Sequence, residues 1–545
     1  MVGKAVVFLV LAACAVSCGS RSEGEDRTVF RYNESKGITT LDPAFARNQT
    51  IIWPVSQIFN GLVELDDSLN VRPSIAKAWA ISGDGLEYVF HLRTDVSFHP
   101  SPFFPDGTRK VRAADVEYSF RRITDPALAS PGIWIFDLIS RQLPFEVPDD
   151  STLIIRLEKP FPPFLAMLSM PYCYIVPREV VEGKGSLFAR EPVGTGPFMY
   201  KMWREDEKLV LVRNPSYFET DSVGHHLPYL DAVAITFIKD KQSEFLEFMK
   251  GNLDFLNAVH PSYKDELLTR SGRLNPKYEG RLLLLTQPYL NTEYLGFMLD
   301  TVHLPQQSRV LADRRVRQAI NLGFDRERMM LYLRNNLGTP ARGGFIPPGL
   351  KGALAPGEGY GYDPGRAARL LAEAGYPGGK GLPELELTTT SDYLDLCEYI
   401  QFELGSLGIR ISISVATGGS FRNMVANSNL VFFRGSWIAD YADAENYLAL
   451  FTTANFSPEG PNTTHFSSGE YDRLYRLAAG ITDDEKRAEV YSRMDRILVD
   501  EAPVVFLYYD MVVRFITPEI SGFSSNPMNS LVLKKVKKKS GAKSS

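Results

Sequence analysis

Hydrophobic positions alternate with polar ones in several stretches of the first half of the chain. In "LEYVFHLR", Leu86, Tyr88, Phe90 and Leu92 alternate with Glu87, Val89, His91 and Arg93, the two-residue period of a half-buried strand. "STLIIRLEKP" repeats the pattern with Leu153, Ile155 and Leu157, and "DAVAITFI" repeats it with Val233, Ile235 and Phe237. Between the first two, "ADVEYSFRRIT" places Val116, Phe120 and Ile123 near one face of a helix. After about residue 290 helices and strands take turns. "LADRRVRQAINLGFDRERMMLYLR" reads as an amphipathic helical region capped by Asp313. "YDPGRAARLLAEAGYPGG" is a fully punctuated helix: Asp363 as N-cap, Pro364 in the first turn, Leu370, Leu371 and Ala374 on a face, Gly375 at the end. The strand "ELELTTT", a helix around 394–407 and the strand "IRISISVA" follow. The pattern predicts an α/β (mixed α+β) chain whose second half is rich in βαβ units. Clefts between the lobes of such chains are common sites for small ligands.

At 545 residues the chain is too long for one core, so two or more domains are expected. A net charge of −5 argues against nucleic acid or an anionic membrane surface as the main partner. The basic run Lys534–Lys539 is the exception, and at the chain's end it reads as a solvated tail. The first residues, "MVGKAVVFLVLAACAVSCGS", carry one lysine, an apolar run and then small residues, which is a signal peptide too short to span a bilayer comfortably. Two lipobox-like sites end it, at Cys14 and Cys18. Signal length and the polar residues after it favour Cys18 as the lipidated first residue of the mature protein. Residues 18–26 then form a flexible tether, and the body lies outside the cytoplasmic membrane. Cys173 and Cys397 sit in apolar surroundings and read as two buried free thiols. No Cys/His spacing indicates a metal site, and His225-His226 reads as a surface loop.

The richest polar stretch is "RGSWIADYADAEN", Arg434–Asn446. Its residues alone leave open a catalytic carboxylate pair, a metal site, a ligand clamp or a wet loop. Asp443 is placed to cap a helix begun by "DAENYLALF". Asp440 and Glu445 as a glycosidase pair would need a carboxylate separation that sequence does not give. No zinc-protease, nucleophile-elbow or phosphate-loop motif is present.

Over nearly all of its mature length the chain resembles the peptide- and nickel-type extracellular solute-binding proteins (family 5) of ABC importers, which include the periplasmic oligopeptide- and dipeptide-binding proteins. The resemblance is carried, in order, by "TLDPAFA", "IFNGLVELD", "PSIAKAWAISGDGLEYVFHLRTDVSFH", "RAADVEYSFRRITDP", "EPVGTGPFMY", "LVRNPSYF", "MKGNLDF", "YLGFMLD", "DRRVRQAINLGFDRERM", "DPGRAARLLAEAGYPGGKGLP" and the 434–446 stretch. It implies a three-domain binding protein of the class II (cluster C) type, with a ligand cleft between two main lobes. After the signal (1–17), domain I is discontinuous, at 27–62, 190–285 and 506–545; domain II is 63–189 and domain III is 286–505. Hinge closure over the ligand is the expected motion.

The resemblance also assigns roles. In the pattern R-x-x-W-x-A-D-Y the aspartate holds a peptide's ammonium, and its match is Asp440; the arginine six residues earlier can hold the carboxylate, and its match is Arg434. A carboxylate of the protein is the competing partner for Arg434. Trp437 is expected as pocket wall and strand anchor, and Tyr441 completes the ligand-binding set. The chain departs from the family at three places. "FHPSPFFPDGTRK" is longer than the usual turn and reads as an extended surface loop; Met298 replaces a common asparagine; Ile438 stands where a disulfide cysteine occurs in an oligopeptide-binding relative, so that disulfide is not expected. The expected function is a lipid-anchored, monomeric, non-enzymatic receptor without cofactor. It would capture extended peptides and deliver them to permease and ATPase subunits. A nickel chelate, haem, an opine or an oligosaccharide is the alternative cargo, and a sensor without transport the alternative role.

Overall fold

A computed structural model describes residues 28–539, apart from 259, 261–262, 301, 303–304 and 525. The signal segment, Cys14, Cys18 and the tether lie outside the described residues. Two four-stranded sheets and one seven-stranded sheet organise the fold. The first sheet runs Val29–Asn33, Ala232–Thr236, Lys208–Arg213, Phe198–Arg204, with the opening pair parallel and the others antiparallel. The second is antiparallel throughout and runs Ala76–Ile81, Glu87–Leu92, Thr152–Arg156, Phe145–Asp149. Its alternation is the one visible in the sequence: Tyr88, Phe90, Leu92, Leu153 and Ile155 are buried. The helix Ala113–Thr124 buries Val116, Phe120 and Ile123, and the Phe120 ring lies 5.0 Å from Phe136 and 6.0 Å from Phe145.

The large sheet is ordered Phe255–Asn257, Val504–Ile516, Leu283–Phe297, Phe432–Ile438, Leu385–Thr389, Ile411–Val415, with Thr339–Pro340 added beside Val504–Ile516. Its last three strands are parallel, and the helix Leu394–Gly405 connects two of them as the predicted βαβ unit. The first two sheets share one hydrophobic core, whereas most of the large sheet and its helices form another. Cys173 lies in the first core and Cys397 in the second, both as free thiols.

Two strands tie the cores together. Leu283–Phe297 and Val504–Ile516 run unbroken across residues 285/286 and 505/506, the expected domain divisions. Their register slips between Pro288 and Thr292, so Tyr289, Leu290 and Asn291 form an irregularity where the sheet passes from one lobe to the other. Leu290 is pinned there: its N–H donates to Pro527 O, and its carbonyl accepts from Ala439 N and the Tyr447 hydroxyl.

The helical region after Asp313 is capped as expected and consists of two helices, Arg314–Leu322 and Arg326–Arg334. Asp325 captures the amides of Glu327 and Arg328 at 3.0 and 3.1 Å and so starts a second helix with its own cap. The segment 98–110 is the expected surface loop, with most of residues 102–110 exposed, and buried residues pin its start. His99 is buried with Nε2 2.9 Å from Gly196 O and Nδ1 accepting from Gly194 N at 3.3 Å. Phe98 stacks on Phe104 beneath the Arg109 guanidinium. The C-terminal lysines are no solvated tail, because Lys534 and Lys538 are held by carboxylates, Lys534 by two part-exposed ones and Lys538 by a buried one. Lys534 bonds Glu64 and Glu219, Lys538 bonds Asp254 at 2.7 Å, and Lys537–Lys538 pairs with Ile520–Ser521.

Candidate functional site

Where the two cores meet, a cavity of about 480 Å³ opens. One wall is the helix Gln49–Ile58 with the residues before it; a second is 169–174; the third is 438–441 with Tyr289, and segment 526–534 closes the space. The strand Phe432–Ile438 delivers the third wall. Trp437, near its end, packs against the second core, and Tyr441, four residues on, packs in the first, with its ring 6.1 Å from Trp134. The chain therefore crosses the lobe boundary between these two aromatics, and Asp440 sits at the crossing.

Asp440 is exposed on the cavity side, while neighbouring protein strips part of the water from its carboxylate. This desolvation pushes its pKa above the ordinary carboxylate value, while a hydrogen bond from Asn446 pulls the other way. Among the described residues no cation pairs with it. Asn446 fixes its position. The amide oxygen accepts from Trp437 Nε1 at 2.9 Å and from Asp440 N at 3.0 Å. With that oxygen committed to two N–H donors, the amide nitrogen is the atom left to face the Asp440 carboxylate. Tyr441 donates to Glu445, which also accepts from Tyr475; buried away from any cation, the Glu445 carboxyl is pushed up to about 7. Asp443 accepts from Glu445 N at 2.9 Å, but it stands one residue before the N-cap, which is Ala444 and not Asp443 as expected.

An interlobe cavity with an unneutralised carboxylate fits a receptor, and the comparison with known families is decisive. The sequence model for "Bacterial extracellular solute-binding proteins, family 5 Middle" matches residues 70–458. The chain belongs to that family. It is 27% identical to "Heme-binding protein A" of Haemophilus influenzae, over 96% of each chain, and 27% identical to "Di/tripeptide-binding protein 2" of Pseudomonas aeruginosa, over 97% of this chain and 98% of that protein. Among solved structures, HbpA2 from Haemophilus parasuis superimposes with a TM-score of 0.80 at 24% identity, covering 94% of this chain and all of that one. The DppA protein of Helicobacter pylori, solved with the peptide STSA, gives 0.73 at 24%, covering 94% of this chain and 99% of that one.

In this solute-binding protein the 434–446 stretch is placed otherwise than the sequence predicts. Arg434 and Asp440 do not share a loop. Arg434 lies inside the strand Phe432–Ile438 and is not part of the cavity wall. Its Nη2 is bonded to Glu293, and its guanidinium lies 3.4 Å from the centre of the Tyr393 ring. Glu293 also accepts from Asn291, whose amide donates to Asp510 at 3.2 Å. The protein carboxylate has thus taken the arginine. Trp437 likewise leaves the cavity wall to Ile438, Ala439, Asp440 and Tyr441, and acts as an anchor through Asn446.

Two residues escaped sequence reasoning. Asn446 closes the quoted stretch but carries no motif signal, since an asparagine's partners are set by folding. Arg47 precedes the helix Gln49–Ile58 and lines the cavity with an exposed side chain. The other charged lining residues, Glu64 and Lys534, bond each other, and Lys534 also bonds Glu219. His225 and His226 are on the surface, and among the described residues no cluster of three or more His, Cys, Asp or Glu is placed to hold a metal. No helix of the described residues is long and apolar enough to cross a membrane.

Proposed function

We propose that this protein is the peptide-capturing component of an ABC importer, held outside the cytoplasmic membrane by lipid on Cys18, or Cys14, and passing short peptides to permease and ATPase subunits without breaking a bond. The observation that carries the reading is the Asp440 carboxylate. It faces an interlobe cavity, is partly stripped of water, and has no cation of the described residues beside it. A ligand ammonium is the natural counter-charge. Tyr441 supplies an aromatic face beside it, and Trp437 supports the loop from behind. The di/tripeptide-binding relative agrees with this cargo. The signal sequence and its two lipobox-like cysteines support the anchor.

Two measurements test it. Native mass spectrometry of the purified protein is expected to release short peptides, and the intact mass to include the acyl chains. Asp440→Asn is expected to fold normally and to lose about 100-fold or more in peptide affinity, as for a charge pair left without one partner. Its remaining affinity should be nearly independent of pH. In the parent, binding should weaken as the pH falls through the raised Asp440 pKa, because only the carboxylate attracts an ammonium. Parent-like affinity in Asp440→Asn would refute the assignment. Release of haem or a metal chelate in place of peptide would refute the cargo.

A further inference from the structure

Arg47 and Asp440 form a second pattern in the cavity. They reach it from different lobes: Arg47 from the segment between Pro43–Phe45 and the helix Gln49–Ile58, and Asp440 from the end of the strand Phe432–Ile438. Neither is neutralised. No carboxylate of the described residues pairs with Arg47, and no cation of the described residues pairs with Asp440. They do not pair with each other, but both act on the phenol of Tyr172, which lines the same cavity: burial raises its pKa, the Asp440 carboxylate adds to the rise and the Arg47 guanidinium opposes it. The remaining charges of the cavity, Glu64 and Lys534, are satisfied by each other and by Glu219. Arg434 is withdrawn under Tyr393 and bonded to Glu293. Among the described residues lining the cavity, Arg47 is the cation left to receive an anion.

We infer that Arg47 holds the free carboxylate of the bound ligand while Asp440 holds its ammonium, so that the site measures the distance between the two ends and selects short zwitterionic peptides. The inference rests on the peptide reading above and sharpens it. A planar guanidinium is suited to two-point contact with a carboxylate. The first residues of the adjacent helix, Asn48 and Gln49, line the same space, and a helix start adds favourable potential for an anion beside Arg47. The cavity is at the lower end of the 300–1,000 Å³ typical of small-ligand sites, which suits a few residues better than a long chain. Because the two charges belong to different lobes, a ligand with both ends free would bridge them and favour the closed arrangement. A ligand with one end blocked would not.

The test is isothermal titration of the parent, Arg47→Gln, Arg47→Lys and the neutral double variant Arg434→Gln/Glu293→Gln, each with di-, tri- and tetra-alanine and with the same peptides as C-terminal amides. The parent should lose about 10- to 100-fold in affinity on amidation, the scale of one charge-assisted contact. Arg47→Gln should bind the free acid about as weakly as the parent binds the amide, with no further loss on amidation. Arg47→Lys should recover part of the preference for the acid. The double variant should keep the amidation penalty. A full penalty persisting in Arg47→Gln, or vanishing in the double variant, would overturn the role of Arg47 and leave the peptide reading standing. Failure of the parent to bind any of the free peptides would overturn both.

Discussion

Asp440, the residue proposed to hold the ligand, shows how little of a side chain's behaviour resides in the residue itself. Its identity and its place in an A-D-Y pattern were readable from sequence. Its pKa, its orientation and its lack of a counter-ion were not, because they depend on Asn446, on the cavity wall and on Arg434 being held elsewhere. Asn446 makes the dependence testable. Its side chain joins Trp437, the Asp440 backbone and the Asp440 carboxylate. Asn446→Ala should weaken tri-alanine binding about 10-fold by freeing the Asp440 loop, a loss of about 1.4 kcal/mol. Asn446→Asp is nearly isosteric, yet it should be the worse change, since it sets a second carboxylate against the first. Calorimetric titration of the two variants decides the order, and equal affinities would show that Asn446 has no hold on Asp440.

Secondary elements were legible where the pattern had one interpretation. The strand of Tyr88, Phe90 and Leu92 and the helix capped by Asp363 follow from alternation and capping, both local properties. The segment 98–110 was legible as a loop from its three prolines and its glycine, but its anchor was not, because the anchor is remote. His99 reaches the turn at 193–198, where Gly194 and Gly196 pass so close to Ile58 that an added Cβ would lie 2.1 Å and 2.4 Å from its backbone. Burial pulls the His99 pKa down from 6.5 to about 4. The folded protein therefore keeps this ring neutral where the unfolded chain takes a proton. The resulting loss of stability is absent above pH 6.5 and grows as the pH falls toward about 4. In His99→Gln, which does not titrate, the fall in unfolding midpoint between pH 7 and pH 4.5 should be smaller than in the parent. Urea unfolding followed by tryptophan fluorescence reads this, and identical slopes would show that the His99 anchor does not titrate.

At the scale of the whole molecule, the C-terminal lysines staple distant parts of the chain. Lys534 bonds Glu64 and Glu219, Tyr217 donates to Glu219, and Asn60 and Thr195 extend the chain of hydrogen bonds. Lys534→Met would leave two carboxylates facing each other without their cation. Glu64 keeps some exposure, so the cost should be about 2–4 kcal/mol, below the range for fully buried pairs. Adding Glu64→Gln and Glu219→Gln should recover most of it. Denaturant unfolding of the single and triple variants measures both steps, and an unchanged midpoint in Lys534→Met would show the network to be without weight.

The sequence by itself determined the classes of element, the βαβ character of the second half and the family, and it pointed to the aspartate now proposed to hold a ligand, because periodicity, caps and ordered motifs are written in neighbouring residues. The tertiary structure alone decided which charges remain free. Arg434 looked available until the strand Leu283–Phe297 brought Glu293 against it, and Arg47 looked like any surface arginine until the lobes set it across a cavity from Asp440. Charge pairing depends on distance in space, and residues hundreds of positions apart compete for the same partner. No local pattern records which of them wins.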